Sequence, residues 1–185
     1  RAVKNEAASG RLGTLKKAWC QEFRGDWNPR ATRFPQDDGP DINWRYSQTL
    51  SGGSIVEKLC HDFDVFSWWL DARPVQVYAA GGLSVYSERN TLDHADIVVE
   101  YDSGATLNVN LCMFAPNHRF KGRYMGLIGD KAVLDLDEAL SDYSVFNADG
   151  ETVTHQNVEK ATRGGFHAGN ATRFQLAAFV DSIQN

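Results

Sequence analysis

The chain has 185 residues, of which 42% are apolar, 23% charged and 11% aromatic, with 16 Gly and 5 Pro; this excludes disordered, collagen-like and low-complexity chains. Such a length suits roughly one domain, burying about 70% of its unfolded surface. Lys and Arg total 19 against 24 Asp and Glu, a formal charge of -5, which argues against binding to a phosphate backbone.

The first fifty residues carry nine basic against six acidic side chains, and the remainder ten against eighteen, so a local anion could still be served near the N-terminus. Residues 1–9 read as the last turns of a helix, closed at Gly10 and Gly13, where a left-handed C-cap is tolerated. Residues 15–23 have the length and mixed character of a strand. The stretch from Arg24 to Asn43 is rich in Pro, Gly, Asp and Asn and reads as a long loop, ordered by Trp27, Phe34 and Trp44.

From Gly53 to Leu70 the apolar residues Val56, Leu59, Phe63, Phe66 and Leu70 recur at helical steps. Beyond Pro74 the period falls to two: Val75, Val77 and Ala79; Ala95, Ile97, Val99 and Tyr101; Leu107, Val109, Leu111 and Met113. Asp102-Ser103-Gly104 predicts a tight hairpin, and Gly129-Asp130-Lys131 predicts another between residues 124–128 and 132–136. Less regular strands follow at 143–146 and 152–156. A glycine-rich loop at 164–169 then leads into a helix with apolar positions Leu176, Val180 and Ile183. The sum is six to eight mostly hairpin-connected strands with helices before and after them. The predicted fold class is α+β, an open and predominantly antiparallel sheet with helices packed on one face.

Cys20, Cys60 and Cys112 show no CxxC spacing, so neither a disulfide framework nor a thiolate zinc site is suggested, and a reducing, cytoplasmic setting is expected. No apolar run approaches the ~18 residues that cross a bilayer. The chain starts at Arg1 and stops at Asn185 inside a helical pattern, which reads as a piece of something longer.

On a helical wheel with Val56 at zero, Leu59, Phe63, Phe66 and Leu70 fall within about 280–340°, and Glu57, His61, Asp64 and Trp68 within about 80–140°. Glu57 and His61 are four apart, so the carboxylate can reach the imidazole. Two readings follow from spacing: an exposed pair contributing about 0.2–0.5 kcal/mol to the helix, or a histidine oriented by an acid for proton transfer near neutral pH. Trp68 on the wet face favours a surface that something else covers. Lys58, at about 200° on the wheel, could reach a cleft or lie along the surface. Arg45 could bind a substrate hydroxyl or carboxylate, or stack on its aromatic neighbours. Asn108 and Asn110 place amides on one sheet face, suited to a polyol or to solvent. His94, His118 and His155 lack metal-ligand spacing and read as surface or hairpin residues. No metal site is predicted.

The segment Gly52-Gly53-Ser54-Ile55-Val56-Glu57-Lys58-Leu59-Cys60-His61-Asp62-Phe63-Asp64, with Trp68-Trp69-Leu70 and Pro74-Val75 after it, resembles the C-terminal domain of the Gfo/Idh/MocA oxidoreductases. Glu57 stands where that family usually has Asp. The likeness extends through Gly10-Arg11-Leu12-Gly13, Gly104 to Pro116 and Gly126 to Leu136, and loosely to His167-Ala168-Gly169-Asn170. The resemblance implies that residues 1–185 form a substrate-binding and oligomerisation domain whose NAD- or NADP-binding Rossmann domain precedes it. No strand-associated GxGxxG and no Glu-Lys-Pro occur here, so the piece by itself is expected to be inactive. By the same resemblance the intact protein moves hydride between NAD(P) and a sugar, cyclitol or similar secondary alcohol. Glu57 and His61 would be catalytic, and Lys58, Arg45 and His167 would bind substrate. A homo-oligomer forming through the sheet is implied, and no nucleic-acid or membrane partner. A glycosidase-like hydrolase using NAD transiently, or a noncatalytic sugar-binding or dimerisation module, are the alternatives.

Overall fold

Alternating apolar residues joined by tight turns organise this chain into one large sheet, with helices against one of its faces. The structure, a computed structural model, describes residues 1–25, 33–36, 39–115, 122–137, 142–150, 152–155, 176 and 179–184. It begins with α1 (Ala2–Ala8), β1 (Leu15–Phe23) and a hairpin of β2 (Arg33–Gln36) and β3 (Gly39–Asn43). A 3-10 turn at Trp44–Tyr46 and the short α2 (Gln48–Ser51) lead to a π-helical turn, Ile55–Leu59, which continues as α3 (Cys60–Leu70). The remaining strands are β4 (Pro74–Gly82), β5 (His94–Tyr101), β6 (Thr106–Cys112), β7 (Gly122–Gly129), β8 (Ala132–Asp137), β9 (Asp142–Asn147) and β10 (Thr152–His155).

The eight-stranded sheet has the order β10-β9-β8-β7-β1-β6-β5-β4. β1 runs parallel to β6, and every other neighbouring pair in it is antiparallel. The open α+β architecture expected from the two-residue period is therefore the observed one. β1, earliest in sequence, sits between the two hairpin-built halves and ties them together through its ladders to β6 and β7.

The core lies on one face. Ala18 and Cys20 of β1, Ile97 and Val99 of β5, Leu107, Val109 and Leu111 of β6, Leu127 of β7 and Leu134 of β8 are buried beneath Leu59, Phe66, Trp69 and Leu70 of the helix. Phe66 and Trp69 meet edge to face, 5.1 Å apart. Each such aliphatic side chain contributes roughly 1.5–3 kcal/mol on full burial, so alternation in β5 and β6 and helical spacing in α3 together specify which faces meet. Gly104, at φ 79°, makes the predicted turn between β5 and β6.

Three expectations change. The stretch read as a loop from Arg24 to Asn43 contains the β2–β3 hairpin, whose register pairs Phe34 with Ile42; the Asp38-Gly39 turn signal was hidden among Pro and Asp residues. Val56, placed on the core side, is 59% exposed. The π turn rotates less per residue than the ~100° of an α-helix, so residues preceding Leu59 swing outward or inward relative to the ideal wheel. The stripe of the last helix, seen at Leu176, Phe179, Val180 and Ile183, is exposed, as are Val75 and Val77 of β4. The glycine-rich loop at 164–169 lies outside the described residues. No helix among the described residues is long and apolar enough to cross a membrane.

Candidate functional site

The helix that carries the predicted site starts at a double glycine. Gly52 and Gly53 have φ of 75° and 85°, a left-handed backbone that other residues adopt only with strain. This turn ends α2 and redirects the chain into the helix of residues 53–70. Ser47 caps α2 by accepting from the Leu50 amide at 3.4 Å, and Asn90 Oδ1 accepts from the Gln48 amide at 2.8 Å.

Glu57 is half-buried at the start of the helix and pairs with Arg45, whose guanidinium lies 3.2 Å away. Arg45 also stacks on Trp44, 5.0 Å from the ring centroid. His61, Asp64 and Trp68 are exposed, Trp68 to 47%. The predicted polar stripe thus faces away from the core. The contact expected within it is absent: the Glu57 carboxylate engages Arg45 and makes no hydrogen bond or ion pair with His61. Arg45 enters from the preceding 3-10 turn and offers a guanidinium fork matched to a carboxylate.

Lys58 takes the other direction. Its side chain is 8% exposed and its ammonium lies 3.3 Å from Glu22, a fully buried acid on the core face of β1. Arg24 Nε bonds the same Glu22 oxygen. Lys58 is therefore directed into the interior, where it links helix to sheet, and does not line the cleft described next. The π turn supplies the rotation that brings it inward. His167 lies outside the described residues.

Between the helix start and the β4–β5 connection is a small cleft, partly open to solvent, lined by Arg45, Ser54, Glu57, Arg89, Asp93 and their neighbours. Its far wall is organised by Asp93. That carboxylate is 2% exposed and accepts from three successive amides: Ser84 at 3.0 Å, Val85 at 2.7 Å and Tyr86 at 3.1 Å. The His94 Nδ1 is 2.9 Å from its other oxygen. Burial by itself would raise the Asp93 carboxyl, but the hydrogen bonds from His94 and the three amides outweigh it and hold the group well below the usual carboxylate range. Arg89 stacks over Tyr86, its guanidinium carbon 3.5 Å from the ring centroid, and lies 3.4 Å from Glu88.

The structure thus brings Arg45 and Glu57 together in one cleft, with His61 one turn further along the helix and Lys58 turned away. Residues 83–93 carry no local sequence pattern that points to a role, and His94 is expected from spacing alone to be a surface or hairpin residue. His94 is half-buried, anchored to Asp93 and packed edge-on to Phe114 at 6.1 Å. The available signal was an acid directly before a strand, in a stretch rich in Ser, Asn and Thr, where side chains commonly bond nearby amides.

A family model described as the GFO/IDH/MocA C-terminal domain matches residues 1–135. "Putative oxidoreductase YteT" of Bacillus subtilis (strain 168) is 43% identical over 56 residues, 29% of this chain and 13% of that protein. An inositol dehydrogenase homologue from Azotobacter vinelandii, solved in complex with NAD+, superposes with a TM-score of 0.70 at 17% identity, covering 89% of this chain and 44% of that one. The aldose-aldose oxidoreductase from Caulobacter crescentus, complexed with glycerol, superposes with a TM-score of 0.65 at 18% identity, covering 85% and 44%. The chain spans less than half the length of either solved relative, and at these identities the likeness concerns the fold.

Proposed function

The chain belongs to the GFO/IDH/MocA C-terminal domain family, and from that premise we propose that it is the substrate-binding and oligomerisation part of a protein that moves hydride between NAD or NADP and a sugar, cyclitol or similar secondary alcohol. The observation that carries this reading is the outward-facing histidine beside a charged cleft: His61 is exposed one helical turn beyond Glu57, which lines that cleft with Arg45.

The residues present suit a nucleotide-carrying partner domain in one respect. Trp68 lies two turns from His61 on the same side of the helix and exposes 47% of its surface, a large aromatic area that such a domain would cover. When bound, the nicotinamide would supply the hydride acceptor. The chain's own work is to position the alcohol and take its proton. An imidazole nitrogen of His61 accepts the hydroxyl proton, since the neutral ring offers one nitrogen lone pair as an acceptor. Glu57, held by Arg45, does not orient that ring; its carboxylate faces the cleft and accepts a hydrogen bond from a substrate hydroxyl. Arg45 and His167 are proposed as further substrate contacts. Lys58 serves by anchoring the start of the helix to Glu22.

In the full-length protein, His61→Ala is expected to lower kcat by about 10²–10⁴ with little change in KM, followed as nicotinamide reduction over a panel of sugars and cyclitols. An unchanged kcat overturns the proton-transfer role. Product analysis separates net oxidation of the alcohol from cleavage of a glycosidic bond.

A further inference from the structure

We propose that the cleft is a subsite for a single hydroxyl group of the substrate and that Thr91 is the residue that reads it. This specificity role rests on the reading of the protein as one that acts on a sugar or cyclitol, and deepens it.

The cavity in the cleft is about 20 Å³, room for one water-sized group and too little for a sugar ring. Thr91 is 3% exposed and lines that cavity. Its hydroxyl has no hydrogen-bond partner among the described residues, yet the oxygen is not sealed from solvent. In a side chain so deeply buried, that contact with solvent is made through the cleft. Ser54, at the start of the helix that carries Glu57 and His61, also lines the cavity, and its hydroxyl likewise has no partner among the described residues. Leaving a buried hydroxyl unpaired costs about 1–3 kcal/mol, so Thr91 favours an occupant that can donate and accept. Water meets that need in the free protein. A substrate hydroxyl has the same size and the same bonding capacity, and takes its place.

The rest of the lining suits a neutral hydroxyl. Arg45 engages one Glu57 oxygen at 3.2 Å, and a carboxylate has further acceptor positions with which to receive an incoming O–H. Leu92 and Met113 supply apolar wall, which offers a larger polar group nothing to bond. Thr91 is also held in place before binding. Asp93 gathers the amides of Ser84, Val85 and Tyr86, and Asn90 ties the β4–β5 connection to the first amide of α2. The Met113 amide donates to the Asp93 carbonyl at 2.8 Å, fixing the end of the connection against the chain beyond β6. Thr91 lies between these anchored positions, so little ordering cost falls on binding.

The test is calorimetric titration of the full-length protein, without cofactor, with myo-inositol, D-glucose and D-galactose. The monodeoxy and mono-O-methyl derivatives of whichever binds most tightly are then titrated in turn. At one ring position, removing the hydroxyl is expected to weaken binding about 10-fold. Methylating it should weaken binding at least as much, because the cavity does not admit the extra carbon. Thr91→Val keeps the shape of the side chain and removes its hydroxyl. It should erase most of the difference between parent and deoxy analogue at that position and leave discrimination at the others as it was, which also reports that the variant is folded. Thr91→Ser should restore the difference. A deoxy analogue that binds as tightly as its parent at every position means that the cleft holds water alone, and overturns the proposal. A methyl ether tolerated at every position, a Thr91→Val variant that keeps the full difference, or failure of all three polyols to bind does the same. Because no turnover is read, position-specific binding by a protein that never reduces NAD leaves the subsite standing and removes the dehydrogenase reading. NAD-linked oxidation of these polyols with no effect of Thr91 on discrimination does the reverse.

Discussion

Glu22 and Asp93 are both buried carboxylates, but they are stabilised differently. Glu22 is neutralised by cations from two elements, whereas Asp93 is solvated by backbone amides and one imidazole within its own stretch of chain. Replacing Asp93 by Asn puts a donor where amides already donate, and is expected to cost about 2–4 kcal/mol in denaturant unfolding near pH 7. The folded carboxyl is held below its ordinary value of 3.8, so the unfolded chain takes up the proton first as pH falls. The stabilisation is fully present above that ordinary value and fades as pH drops through the folded one. The gap between wild type and Asp93→Asn should therefore narrow below about pH 4; a gap independent of pH would mean that the charge is not what the amides stabilise.

At the scale of elements, the helix of residues 53–70 shows how far a period carries. Leu59, Phe66 and Leu70 are buried as the three-and-four spacing requires, and His61, Asp64 and Trp68 face outward. The π turn at Ile55–Leu59 is where the ideal wheel fails, exposing Val56 and burying Lys58. An inward lysine is tolerated because Glu22 waits on β1. Glu22→Gln leaves the buried Lys58 and the half-buried Arg24 without that charge and is expected to destabilise the fold by about 3–5 kcal/mol in denaturant unfolding, as for other broken buried pairs. A loss under 1 kcal/mol would mean that water or other groups already solvate those cations. Because the pair clamps the turn that carries Glu57, the full-length variant should also lose substrate affinity.

The whole molecule presents one covered and one open sheet face. On the open face Tyr78, Val98, Asn108, Trp19 and Gly126 stand in register across five strands. A Cβ at position 126 would collide with the Trp19 indole, so glycine lets that ring lie flat on the sheet. Tyr78, Val98, Tyr124 and Phe146 remain exposed large apolar residues there, a pattern that marks association surfaces. We propose that a second copy covers this face, making a closed dimer the simplest product. Tyr124→Asp, at the middle of the face, should shift the full-length protein to a monomer in analytical ultracentrifugation without lowering its melting temperature as a core substitution would. An unchanged sedimentation coefficient would place the interface elsewhere.

Much of this was legible in the residues alone, because alternation in β5 and β6, the Asp102-Ser103-Gly104 turn and the apolar spacing of Leu59, Phe66 and Leu70 are local periods that burial then enforces. The sequence by itself thus determined the fold class, the strand-and-helix order after residue 53 and the outward stripe bearing His61. Tertiary structure decided the partners. Arg45 reaches Glu57 ahead of His61, Lys58 turns inward to an acid 36 positions away on β1, and an unremarkable connection folds around Asp93 to carry Arg89 into the cleft. Such pairings depend on which long side chains meet across non-local contacts and on one wide helical turn that no repeat announces.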